Sequence, residues 1–163
     1  MRLGGLDHGG ERVFLLSTTH GAETHALAAA LANMRVYETE PVIEHLHVQG
    51  ERLEAGAMQA IRRHGLEAYV LIDGRASCLV YGTRDAEGKP SQAFRSLFLQ
   101  ETIRRGILAP SLVVGYTHTD ADIDRTVEAI DGALLVYAQA LEDGVERHRV
   151  PPLRLRSAAH PVG

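Results

Sequence analysis

Cysteine is almost missing from this 163-residue chain. The one present, Cys78, excludes an internal disulfide. It lies in an apolar run, where a buried, inert thiol is expected. Lysine is equally scarce: of 17 basic residues only Lys89 is a lysine, and the rest are arginines. No block of like charge occurs and the net charge is −4, which excludes a nucleic-acid footprint. No apolar run reaches membrane-spanning length and no signal peptide is recognisable. The expected setting is the cytoplasm, with neither membrane nor nucleic acid as partner.

What is present suits a soluble globular protein. Hydrophobic residues make up 45% and charged residues 23% of a chain long enough for a real core. The organising stretch is STTHGAETH, residues 17 to 25. It follows the apolar run Val13-Phe14-Leu15-Leu16 and opens an Ala-rich helix. Free N–H groups and the positive dipole end gather at a helix N-terminus, so an anion fits there. Thr18, Thr19 and Thr24 add hydroxyl donors. The plainer alternative is that these residues only cap the helix.

Periodicity predicts the other elements. A helix from about Thr24 to Glu38 carries an apolar stripe at Leu27, Leu31, Met34 and Tyr37. A second, from about Pro41 to His64, spaces Val42, Leu46, Leu53, Ala57 and Ile61 helically and stops at Gly65. Two strands, 68 to 72 and 77 to 81, flank the turn Asp73-Gly74-Arg75-Ala76. Ser91 caps a third helix that ends at Gly106, with Phe94, Leu97 and Phe98 inward. A strand around Leu112-Val113-Val114 follows. Thr119 and Asp122 resemble a capping box for the last helix, which ends at Gly144. The tail from Val145 reads as extended.

Other chemistry is weakly signalled. Of nine histidines, His20 and His25, with Glu23, lie close in sequence, while His45 and His47 are two apart on a helix and cannot face together. No zinc spacing occurs, so solvated or capping roles are expected and no metal. Arg75 could grip a carboxylate, though most turn arginines are simply exposed. Ser17 lacks a nucleophile elbow.

STTHGAETHALAAALA resembles the segment before the long interdomain helix of class III pyridoxal-phosphate-dependent aminotransferases, in particular glutamate-1-semialdehyde 2,1-aminomutase-like members. QETIRRGILAPS, residues 100 to 111, and HTDADIDRTVEAID, residues 118 to 131, resemble that family's closing helix, strand and helix. The resemblance runs from about Leu3 to Gly144. It implies pyridoxal 5′-phosphate as cofactor, with Thr19, seconded by Thr18, donating to the phosphate held by a neighbouring subunit of a homodimer. It implies amino-group transfer on small-molecule donors and acceptors. Where the family commonly has Gly-Asn-Pro after the turn, this chain has Ala22-Glu23-Thr24. The family's cofactor-binding lysine, ring-stacking aromatic and pyridine-pairing aspartate would all lie before Met1, and Lys89 reads as a surface residue.

The expected fold is therefore α/β, with an α+β small domain: the C-terminal part of a fold-type I enzyme. Residues 1–40 would be a remnant of the large cofactor-binding domain and 41–65 the interdomain spine helix. Residues 66–144 would form a small antiparallel or mixed sheet with helices on one face, and 145–163 a tail. Such a part is expected to be inactive alone. The alternatives are a non-catalytic oligomerisation or binding domain, and a half that assembles with a separate lysine-bearing chain.

Overall fold

The structure, a computed structural model, describes residues 23–150. The chain divides into two compact units, residues 1–42 and 43–163. In the first, α1 spans Thr24–Thr39 and buries none of its residues. Alanine gives it intrinsic helicity. The predicted stripe forms, but Leu27, Leu31, Met34 and Tyr37 stand 55, 57, 53 and 47% exposed.

The long helix α2, Val42–Arg63, is about 33 Å long. Leu53, Ala57, Ala60 and Ile61 are buried along one side. Its end is a Schellman motif: Leu66 N–H donates to Ile61 O at 3.0 Å and Gly65 N–H to Arg62 O at 3.1 Å. Gly65 takes φ +65°, which glycine adopts without steric cost. Buried Leu66 then turns the chain towards the sheet.

Strands β1 (Val70–Arg75), β2 (Cys78–Thr83) and β3 (Leu112–Val113) form one antiparallel sheet in that order. The hairpin differs from its sequence reading. Arg75 pairs with Cys78, so the turn is Ala76-Ser77, and the Asp-Gly pair lies within β1. Asp73 Oδ1 accepts from Gly74 N–H at 2.8 Å, a local bond that lets this pair sit in a strand. The expectation for Cys78 is also corrected. It is exposed, because it shares the open face of the sheet with Arg75 and Val113.

Helix α3, Gln92–Arg104, is capped by Ser91, whose Oγ accepts from Phe94 N–H at 3.4 Å. Helix α4, Asp120–Asp143, begins with a complete Thr119–Asp122 capping box and ends at Gly144. The two helices cover one face of the sheet. Leu79 and Tyr81 meet Phe94, Leu97 and Phe98 from α3, and Ile130, Leu134 and Tyr137 from α4, in one core. After α4 the chain forms a 3₁₀ turn, Val145–Arg147, rather than an extended tail. His148 holds it there, 2.6 Å from Asp143 Oδ1.

Two glycines in α2, which look like helix weaknesses in the sequence, are close contacts. A Cβ at Gly50 would lie 2.1 Å from Ala76 O, and one at Gly56 would lie 2.6 Å from Val127 Cγ2. α2 thus fits against both the hairpin turn and α4 because those positions are bare.

Candidate functional site

Thr18 and Thr19, the predicted phosphate donors, lie outside the described residues, as does His20. The mouth of α1 that follows them is described from Glu23. Glu23 is the N-cap but makes no side-chain cap hydrogen bond. Among the described residues no side chain caps the first-turn N–H groups, which suits an anion. The Glu23 carboxylate opposes an anion at that mouth, and His25 Nε2, 3.2 Å from Glu23 Oε2, offsets this when protonated. The described part of the turn thus fits a phosphate through its backbone, with any hydroxyl contribution falling to Thr18 and Thr19.

The densest polar constellation of the second unit joins α2 to the head of α4. Arg52 spans two carboxylates: Nη1 reaches Asp120 Oδ2 and Nη2 reaches Asp124 Oδ1, each at 2.8 Å. Gln49 donates to Asp120 Oδ1 at 2.7 Å. His45 Nε2 lies 3.0 Å from the His118 carbonyl, with its ring edge-on to Tyr116. The Gln49 bond, then the Arg52 charge, hold Asp120 below the usual carboxylate range. The Thr119 hydroxyl and N–H do the same for Asp122. These carboxylates stay ionised and hydrogen-bonded at neutral pH. They are suited to orient and fix, not to exchange protons. The sequence marks only Asp122, as the capping partner of Thr119. The partners lie 68 to 72 residues away, and only the spacing of Asp120 and Asp124, one helical turn apart, hinted at a shared face.

Burial pushes the Glu101 carboxyl up. Hydrogen bonds from Arg105 and Gln100, with the charges of Arg104 and Arg105, outweigh that and hold it below its ordinary value. Arg104 and Arg105 both contact it at 2.7 Å. Tyr137 is buried with its hydroxyl donating to Arg84 O at 2.5 Å and accepting from Arg84 N–H at 3.1 Å. Desolvation raises its pKa far above the usual phenol value. Both groups are buried and held by neighbouring partners, so both read as structural.

The remaining sequence candidates stay apart. Lys89 is exposed in a loop that Asp85 Oδ1 organises by accepting its N–H at 2.9 Å. Arg75 is exposed at the hairpin turn. His45 is half-buried and His47 exposed on the same helix. Among the described residues no three His, Cys, Asp or Glu side chains converge on a metal position. No described helix is long and apolar enough to cross a membrane.

The fold defines a class. The chain superposes on the protein FumI of Sphingopyxis sp. MTA144, solved in its PLP internal aldimine form, with a TM-score of 0.63. The match covers 79% of this chain and 31% of that one at 22% identity. This is the fold of part of a fold-type I pyridoxal-phosphate enzyme. Sequence comparison narrows the kinship. The chain is 32% identical to glutamate-1-semialdehyde 2,1-aminomutase of Akkermansia muciniphila over 115 residues, 64% of this chain and 27% of that enzyme. It is 30% identical to the same enzyme of Desulforudis audaxviator over 118 residues, 66% and 27% respectively. The chain is thus a relative of the glutamate-1-semialdehyde 2,1-aminomutases, and pyridoxal phosphate is the cofactor that this resemblance implies. It spans about a quarter of the length of those relatives. No family model matches the sequence.

Proposed function

We propose that this chain is the C-terminal part of a class III pyridoxal-phosphate-dependent aminotransferase or glutamate-1-semialdehyde 2,1-aminomutase-like enzyme, working in a homodimer. The observation that carries this reading is the agreement of sequence and fold: two aminomutases match at 30% identity or more, and the structural match covers most of the chain. In this reading Thr19, with Thr18 beside it, donates hydroxyl hydrogen bonds to the cofactor phosphate, and the first-turn N–H groups of α1 add theirs. α2 is the spine between domains, and residues 66–144 are the small domain. When bound, the cofactor supplies carbanion stabilisation, while the protein binds and orients. The single lysine does not suit the covalent role. A cofactor-binding lysine needs burial or a charged neighbour that depresses its pKa, and Lys89 lies exposed in a loop.

The test is a chimera. The corresponding part of the Akkermansia aminomutase is replaced by this chain, and cofactor retention and amino transfer are measured. Retained activity is expected, with Thr19→Ala weakening cofactor affinity about ten-fold, as loss of a hydrogen bond to a charged group implies. The chain alone, treated with cofactor and borohydride, is expected to give neither turnover nor an adduct at Lys89. Turnover with an adduct there would overturn the reading.

A second reading is a non-catalytic binding or oligomerisation domain. One observation favours it: residues 43–150 close a core of their own, with Leu79, Leu97, Ala133, Leu134 and Tyr137 fully buried. Failure of the chimera to hold cofactor, with the chain alone folded and stable, would select this reading.

A further inference from the structure

We propose that the cavity between the α3–β3 connection and the head of α4 binds a small carboxylate with a short apolar tail. The cavity measures about 280 Å³, close to the lower end of small-molecule sites. Its floor is apolar: Leu53, Leu112, Val114 and Ile123 are each 5% exposed or less. Its wall carries two nitrogen donors, Arg125 and His118, beside the hydroxyls of Ser111 and Thr126.

Arg125 differs from the ion-paired arginines of this unit. Arg52, Arg63, Arg104 and Arg105 are each ion-paired. The Arg125 guanidinium makes no hydrogen bond or ion pair among the described residues. It has room because Gly106 is bare: a Cβ there would lie 3.2 Å from Arg125 Nη2. Its planar fork matches a carboxylate in two parallel hydrogen bonds.

His118 is set as a donor by its backbone. Its Nδ1 accepts from Gly115 N–H at 3.0 Å, so the neutral ring carries its proton on Nε2. The opposing feature is Asp122, the one carboxylate on the cavity wall. Its Oδ2 is engaged by the Thr119 N–H at 2.8 Å and hydroxyl at 2.7 Å. Its charge still acts on Arg125 and His118, so an incoming anion shares both donors with a carboxylate whose Oδ2 is already engaged. An apolar floor under two donors selects an amphiphile with a carboxylate head. A bare anion would leave the floor wet, and an amine would meet Arg125 with like charge.

The experiment titrates the full chain with hexanoate, hexylamine and acetate, followed by calorimetry and methyl NMR. Hexanoate is expected to bind with a Kd on the order of 1 mM. Methyl shifts should concentrate on Leu112, Val114 and Ile123. Hexylamine and acetate should bind about ten-fold more weakly or not at all. Arg125→Gln should weaken hexanoate binding about ten-fold, while Lys89→Gln in the exposed Asp85 loop leaves it unchanged. Arg125 is exposed, and unshifted methyl signals in the unliganded variant verify that it stays folded. The proposal fails if hexanoate moves none of those methyls, if hexylamine binds as well, or if Arg125→Gln binds hexanoate like the parent chain.

Discussion

Helices α1 and α4 begin from the same kind of sequence and end in opposite states. Each carries apolar side chains at helical spacing on an alanine-rich frame. α4 buries seven of its 24 residues in the core. α1 buries none of its 16. Their starts differ too. Thr119 closes a reciprocal cap at α4, whereas Glu23 gives α1 no side-chain cap. Spacing therefore tells which face of a helix seeks cover. It does not tell where the cover comes from. In the proposed reading, the cover for α1 belongs to the three quarters of the enzyme that this chain does not span.

The comparison can be broken or sharpened by substitution. Leu134→Ala empties a fully buried position and is expected to lower unfolding free energy by about 2–5 kcal/mol in urea titration. Leu31→Ala on α1 should change it by no more than about 0.5 kcal/mol. Equal effects would mean that α1 is covered in solution. Next in size is Gly50→Ala, which drives a methyl into the Ala76 backbone and should cost about 1–3 kcal/mol. Thr119→Ala removes the cap of α4 and should cost about 1 kcal/mol. Glu23→Ser should instead raise the helical circular dichroism of the chain slightly, by placing a capping hydroxyl at the N-cap of α1.

The smallest effect is one of pH. The folded pKa of Glu101 is depressed, so its stabilisation is complete above the ordinary glutamate value, about 4.3, and fades as pH falls through the lower folded value. Glu101→Gln should therefore destabilise at pH 7. The gap from the parent chain, read from urea midpoints, should narrow below pH 4. A constant gap would show that Glu101 acts through shape and not charge.

Much of the second unit was legible in sequence because its signals are local. Ser91, Thr119 with Asp122, and the stop glycines Gly65 and Gly106 mark ends by chemistry within a few residues. Phe94, Leu97 and Phe98 point inward as their spacing implies. What depends on distant partners was not legible. Gly50 and Gly56 read as weak points because the hairpin turn and Val127 that demand them lie elsewhere in the chain. Cys78 was misplaced because an apolar run does not say which of its alternating residues face out; Leu79 and Tyr81 take the core side, and Cys78 and Val80 the open one. The seam of Arg52, Asp120 and Asp124 was invisible because its partners are distant in the chain. Of the candidate site, the resemblance pointed to Thr18 and Thr19, which lie outside the described residues. Arg125 drew no notice because an unpaired cation has no sequence signature.

The two bare positions on α2 have a mechanical outcome. Six residues apart on a helix, they face directions about 120° apart around its axis. One notch receives the hairpin turn and the other receives α4. A rod keyed on two sides can neither roll nor creep along its length without striking a neighbour. Motion applied to this rod is thus handed to the sheet and its covering helix as a single block, and slack between them is removed by what those two residues leave out.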